Sequence, residues 1–258
     1  MSQQQALINF TLHLADDALI LGHRNSEWTG HGPILVQDIA FSNIALDLFG
    51  QARNFYQYAA RLINQSGQGT EVTEDDLAYL RDGWDFKNCL LAEQSNGDWA
   101  RTILRQFFIS ARQFYLYERL RYSKDEELAA ITEKAYKEVA YHLRWSSEWV
   151  IRLGDGTAES HTRMEKALEE LWKFTGELFT PSAYEQQLAA TVIGTDFATL
   201  RQKWEERVRE VFDEASILYP EKRSGMQTGG KEGRHTEQLG YILAEMQFLQ
   251  RAYPGCEW

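Results

Sequence analysis

PILVQDIAFSNIALDLFGQARNFYQYAARLI, residues Pro33 to Ile63, decides the fold. Pro33 suits a first helical position, where a missing N–H costs nothing, and the next breaking cluster is Asn64-Gln-Ser-Gly-Gln-Gly. The stretch therefore predicts one helix of about 45 Å, at 1.5 Å per residue. At helical spacing it divides into two faces. Phe41, Ile44, Leu48, Phe55, Ala59 and Leu62 form one, and Ala40, Asn43, Asp47, Gln51 and Asn54 form the other. The second face is polar yet hardly charged. A solvent-facing stripe carries Lys and Glu, whereas short amides with one carboxylate, beside Gly50 and Ala52, suit a crowded, hydrogen-bonded interior. The helix is expected to be buried on most sides, its polar row directed into a bundle. Bundles build their metal and cofactor sites in that place.

Working outward, Leu7, Phe10, Leu14, Ala18 and Leu21 recur at helical intervals between about Gln3 and His23, with Asp16, Ile20, His23 and Glu27 as a second row. The brief link Trp28-Thr-Gly-His-Gly predicts antiparallel packing of this helix on the next. Thr73-Glu-Asp-Asp76 has the form of a capping box and predicts a helix through Leu77, Leu80 and Trp84, with Gly83 as a point of interruption. Asn96-Gly97 marks a turn and Asp98 an N-cap. The helix that follows, to about Tyr122, carries Phe107, Phe108, Phe114, Tyr115 and Tyr117, a density that suits core and interface packing. Ser123 or Asp125 caps another helix, which runs to Leu153 with an inner stripe of Ala135, Val139, His142, Ser146 and Trp149 and ends at Gly154. Further helices are expected at Ser160–Phe179, at Tyr184–Val192, after Asp196 and from Thr236 through Leu249. No repeat, low-complexity tract or linker divides the chain. The expectation is a single all-α domain over residues 1–258, with core helices near residues 3–23, 33–63, 98–122 and 125–153 and peripheral helices after 159.

Composition narrows the function classes. The chain of 258 residues is 43% hydrophobic and 13% aromatic, enough for a large core. A net charge of −11, with no clustered Lys and Arg, excludes nucleic acid and anionic membrane as main partners. Cys89 and Cys256 stand in no disulfide framework and no metal spacing, which suits reduced cytosolic thiols. MSQQQALINF lacks a basic segment followed by an apolar one, and no 18-residue apolar run occurs, so a soluble cytoplasmic protein is expected.

Four long helices with inward polar residues point to a ferritin-like bundle, whose di-iron enzymes take a Glu from each of two helices and Glu-x-x-His from each of two others. Such a set offers the carboxylates and imidazoles that iron requires. Here Glu-x-x-His occurs only as Glu232-Gly-Arg-His235, in a glycine-rich loop. Glu138 and His142 are four apart, which shares a face but misses the spacing, and reads as a buried hydrogen-bonded pair. Asn43, Asp47 and Gln51 stand where ligands are needed, and neutral amides hold iron poorly. If a residual metal site exists, its candidates are Asp16, His23, Glu27, Asp47, Glu138 and His142; the alternative reading of the acids and imidazoles is structural ion pairing. Gly229-Gly-Lys-Glu-Gly-Arg-His-Thr-Glu237 lacks the full phosphate-loop pattern, so Thr236 as an N-cap explains it better than an anion cradle.

Several segments carry a closer resemblance: Glu27-Trp-Thr-Gly-His31, Asn43-Ile-Ala-Leu-Asp-Leu-Phe-Gly-Gln-Ala-Arg53, Asn88-Cys-Leu-Leu-Ala-Glu-Gln-Ser-Asn-Gly97, Lys137-Glu-Val-Ala-Tyr-His-Leu-Arg144, the Gly229–Glu237 run and Ala244-Glu-Met-Gln-Phe-Leu-Gln-Arg251. In this order they resemble the C subunits of bacterial ring 1,2-phenylacetyl-CoA epoxidases, from near residue 7 to Trp258. The resemblance implies a ferritin-like subunit of a multicomponent monooxygenase in aerobic phenylacetate breakdown. It further implies that this subunit has lost the iron ligands and binds no cofactor, serving as structural partner to a catalytic A subunit that holds the di-iron centre. A small B subunit and a flavin and iron–sulfur reductase complete such a complex, and a homodimer is an alternative state of the isolated chain. Departures are modest: Val36-Gln37 stands where an acid is expected, Ser95 where Pro is usual, and Glu232 at a position often basic. The competing readings are an active di-iron oxidase or oxygenase with an irregular ligand set, and a stand-alone acyl-CoA binder using the His235 loop.

Overall fold

The structure is a computed structural model that describes residues 1–65, 67, 71–194, 196–221 and 225–256. Among these residues every regular element is helical. In chain order the α-helices are α1 (Gln3–Ser26), α2 (Leu35–Gln65), α3 (Glu74–Tyr79), α4 (Leu90–Glu93), α5 (Trp99–Leu120), α6 (Glu126–Gly154), α7 (Ala158–Leu171), α8 (Ala183–Leu188), α9 (Phe197–Glu214), α10 (Glu237–Met246) and α11 (Phe248–Ala252), with short 3₁₀ or π turns at Gly83–Asp85, Trp172–Phe179, Ala189–Ile193 and Gly230–Glu232. Two long pairs, α1 with α2 and α5 with α6, make the bundle, and the later helices pack on its outside. No helix among the described residues is long and apolar enough to cross a membrane.

Local chemistry sets most boundaries. Asp98 and Asp125 accept from the amides of Arg101 and Leu128 at 3.0 and 2.9 Å, starting α5 and α6 as N-caps do. Thr73 and Asp76 form the expected capping box of α3. The link into α2 is held by Asp38, whose carboxylate accepts from Gly30 and Gly32 at 2.8 and 2.9 Å, and the helix starts at Leu35, two residues after Pro33.

Other boundaries depart from the sequence reading for identifiable reasons. Ser160 does not open α7; Thr157 does, with Ser160 returning a hydrogen bond to its backbone. The helix expected through Trp84 stops at Tyr79, because Arg81 turns its guanidinium inward to Asp16. The stretch expected as one helix to Phe179 tightens into a 3₁₀ segment at Trp172–Phe179. The last helix breaks at Gln247, whose side chain reaches back to the carbonyl oxygens of Ala78 and Arg81 at 3.3 and 2.9 Å. The expected loop at 64–70 lies largely outside the described residues.

The largest difference concerns which helix is central. Against the expectation that α2 is buried on most sides, Leu35, Ile39 and Leu46 are 74, 53 and 65% exposed, and Asn43 also faces out. α1 is instead the enclosed helix. It is buried almost without a break from Phe10 to Asn25, because α4, α8 and α10 cover the side that α2 and α5 leave open. At the far end Trp28, Phe41, Trp99, Trp145 and Trp149 interlock, neighbouring rings standing 5.1–6.4 Å apart.

Candidate functional site

The seam between α2 and α6 holds the polar row. Gln51 Nε2 donates to Glu138 at 2.9 Å, and His142 Nε2 meets Asp47 at 3.0 Å. Higher up, the Trp145 and Trp149 indoles donate to Gln37 at 3.1 and 2.8 Å. Glu138 and His142 are therefore not each other's partners, contrary to the pairing their spacing suggests. An i,i+4 pair on one helix points both side chains across the seam, where Gln51 and Asp47 stand closer. Only part of the row is interior: Gln51 is buried, Asp47 half-buried and Asn43 exposed. His142 Nε2 faces Asp47, and the other ring nitrogen, Nδ1, is buried without a partner. Across the bundle on α5, Gln113 and Tyr117 are also buried; the Gln113 amide lies beside the Tyr117 hydroxyl and bears on it, but neither side chain closes a well-formed hydrogen bond.

Asp16, His23 and Glu27 do not join Asp47. Asp16 accepts from the Tyr56 hydroxyl and from the Lys87 amide, and is salt-bridged by Arg81. His23 stands edge-on to Phe49 at 5.1 Å and borders a cavity of about 460 Å³ shared with Ala52, Arg53 and Tyr56. Burial lowers its pKa to about 4, so it is neutral near pH 7. Glu27 is held by Arg24 at 2.8 Å and Asn96 at 2.7 Å. Of the six candidates, the structure brings together Asp47, Glu138 and His142 along one seam and sends the other three to separate neighbours.

Among the described residues one group of metal-ligating side chains converges, and it is not among those six. His13, Asp17 and Cys89 place their ligand atoms within 4.8 Å of one another, all buried. A guanidinium already occupies that point. His13 Nδ1 lies 2.7 Å from the Lys87 carbonyl and must donate to it, so Nε2 is the lone pair, and Arg112 donates to Nε2 at 3.0 Å. Arg112 also reaches Asp17 at 3.3 Å and the Leu178 carbonyl at 3.1 Å. Glu185 completes the cluster, bonded to Lys231 at 2.9 Å, so two carboxylates face two cations and the charge closes. Burial lowers the His13 pKa, and the Cys89 thiol, pushed up by burial and by Asp17, keeps its proton. A protonated thiol, an imidazole already accepting and a resident cation do not fit a metal ion. The α1 spacing of His13 and Asp17 is visible in the sequence; Arg112, lying among the buried residues of an aromatic-rich helix, is the signal that they are matched.

The glycine-rich loop is closed in the same way. Glu177 accepts from the amides of Gly229, Gly230 and Leu90 at 2.7, 2.8 and 2.7 Å. Glu93 accepts from the amide and hydroxyl of Thr236 at 2.6 and 2.7 Å, capping α10 from another element. The places where an external anion would bind thus hold the protein's own carboxylates. Gly230 is glycine because any Cβ would strike the Asn88 carbonyl oxygen, and Gly233, at φ +81°, would meet Trp84 likewise. Glu232 pairs with Arg234 at the surface, whereas His235 meets Glu93 at 2.8 Å and the Phe86 carbonyl at 3.0 Å. The Glu232-x-x-His235 match is therefore not a ligand pair. Both His235 nitrogens face acceptors, which calls for the doubly protonated ring; burial opposes that charge, but Glu93 raises the pKa above its usual value.

The whole sequence, residues 1–258, matches the family described as phenylacetic acid catabolic protein. The C subunit of the 1,2-phenylacetyl-CoA epoxidase of Escherichia coli (strain K12) is 48% identical over 252 residues, covering 98% of this chain and 99% of that protein. The all-helical fold is the ferritin-like class expected from the sequence. With that fold and a match over its whole length, the chain belongs to the phenylacetic acid catabolic protein family.

Proposed function

We propose that this chain is the non-catalytic structural subunit of a ring 1,2-phenylacetyl-CoA epoxidase, supporting a catalytic A subunit that carries the di-iron centre in aerobic phenylacetate breakdown. One observation carries the reading. In the middle of the bundle, where a ferritin-like fold would grip two irons, the side chains are Gln51, Gln113, Tyr117 and His142 with two carboxylates, Asp47 and Glu138, already bonded across the α2–α6 seam, and the single convergent donor group among the described residues is filled by Arg112. Iron in such a centre needs several free carboxylates and imidazoles, and these residues do not supply them. The exposed apolar stripe Leu35, Ile39 and Leu46 on α2 supports a role in assembly, since a long apolar face left open on a bundle helix suits a helical partner. A small B subunit and a reductase belong to the same proposed complex.

Co-expression with the candidate catalytic subunit tests this. The two should purify together, and oxygenation of an aryl-CoA should require this chain. Elemental analysis of the isolated chain should find iron well below one ion per molecule; stoichiometric iron bound there, or full oxygenation without this chain, overturns the proposal.

A further inference from the structure

We infer that the middle of the four-helix bundle is a water-binding site, in which a small cluster of ordered waters is held between Gln51 of α2, Gln113 and Tyr117 of α5 and the His142 edge of α6. Five buried polar atoms on these residues have no protein partner: Gln51 Oε1, both amide atoms of Gln113, Tyr117 Oη and His142 Nδ1. None of the four residues is more than 2% exposed. They share one section of the interior. Gln51 is bonded to Glu138, whose charge is felt at the Tyr117 phenol; the Gln113 amide lies beside that phenol without closing a well-formed hydrogen bond, and the Tyr117 ring stands 6.1 Å from Phe55, one turn beyond Gln51. His142 lies one turn beyond Glu138 on α6.

The inventory of these atoms selects the ligand. Gln51 Oε1 and Gln113 Oε1 accept, Gln113 Nε2 donates, and an imidazole nitrogen such as His142 Nδ1 takes either role. Tyr117 does both, because burial pushes its pKa up and the hydroxyl keeps its proton. A cation would be met by the donors of Gln113 and Tyr117, an anion by the two amide oxygens, and an apolar molecule would satisfy none of them. Each polar group left unpaired in an interior costs about 1–3 kcal/mol. Water donates and accepts, and buried waters make about three hydrogen bonds each, so five such atoms suit a cluster of about two.

This inference rests on the reading of the bundle as metal-free and deepens it, and the test separates the two. In a crystal structure of the full chain resolved well enough to show water, with anomalous data at the iron edge, water peaks should bridge Gln51, Gln113 and Tyr117. An anomalous peak there overturns both readings. A Gln113 turned to bond Tyr117 and Gln51 directly, with no density between them, overturns the water site alone. In solution, oxygen-17 relaxation dispersion counts long-lived internal waters. Gln113→Leu, or the nearly isosteric Tyr117→Phe should Gln113→Leu fail to fold, is expected to lose about one of them. Dispersion unchanged in a folded variant refutes the site.

Discussion

Arg112 and Gln113 are consecutive residues of α5, and they enter two interiors of opposite kind. Arg112 joins His13, Asp17, Glu185 and Lys231, where every charge has a partner and the donor points are filled. Gln113 enters the space between α2, α5 and α6, where the groups are mostly neutral and several have no partner at all. The comparison separates charge that folds the protein from polarity that does not. Buried ions are tolerable only when matched, and removing one member strands the others. A neutral amide without a partner costs less and leaves room for a guest. A bundle of this shape would reveal an ion-binding centre by stranded carboxylates, and here the stranded groups are amides, a phenol and an imidazole.

The strongest way to break the comparison is to unbalance the ionic cluster. Lys231→Met leaves Glu185 and Asp17 with Arg112 alone in a buried place. The expected loss is about 3–5 kcal/mol, the usual cost of breaking a buried pair. Adding Glu185→Gln should restore part of it, because the stranded charge then disappears. Urea denaturation of the single and double variants measures both; a Lys231→Met chain as stable as the parent would show that the cluster does not depend on matched charge.

Next in size is the clamp that Glu177 and Glu93 place on the glycine-rich loop. Gly230→Ala sets a methyl against the backbone of Asn88 and must push the loop off Glu177. A loss of about 1–3 kcal/mol is expected, as for other overpacked sites. Gly240→Ala serves as the control, since a Cβ there meets nothing within 4 Å, and its stability should hold or rise slightly. Equal effects from the two would remove the close approach as the reason for the loop's glycines.

How much of this is legible in the sequence depends on the range of each interaction. Caps are local, so Thr73, Asp98 and Asp125 are readable from neighbouring residues. The long helices are readable from apolar spacing, and the poverty of iron ligands from spacing and residue type. Partners far apart in sequence are not readable. Glu93 bonds residues more than 140 positions away, and Glu177 joins the amides of Leu90 and Gly230, so nothing local marks either carboxylate as a clamp. The burial of α1 over α2 depends on where α4, α8 and α10 come to rest, which periodicity within α2 cannot encode. Of the six candidate site residues, Asp47, Glu138 and His142 meet because they face one seam. Asp16, His23 and Glu27 disperse because Arg81, Phe49 and Arg24 take them first.

On the neutral side, Gln113→Met should change stability by less than about 1 kcal/mol in either direction, because an amide without a protein partner is exchanged for an apolar chain of similar length. A loss as large as that of Lys231→Met would mean that Gln113 is as firmly matched as Arg112, and the contrast between the two neighbours would fail.

The smallest effect is one of slope with pH, and it sharpens the distinction between matched and unmatched histidines. His13 and His23 have pKa values below the usual 6.5, His23 at about 4, so the stability they contribute is present above pH 6.5 and is lost as pH falls below it. His235 has the opposite sign. Its pKa is raised by Glu93, so its contribution is complete below pH 6.5 and is lost as pH rises through the folded value. Stability followed by urea midpoint from pH 5 to 9 should therefore fall on both sides of the neutral region. In His235→Gln the alkaline decline should flatten while the acid decline stays, because the glutamine amide can donate to Glu93 or Phe86 but has no proton to lose in this range. An alkaline slope that survives the substitution would assign the loss to another group and leave His235 neutral, and Glu93 would then be held by the Thr236 and Asn88 donors with at most one uncharged imidazole N–H.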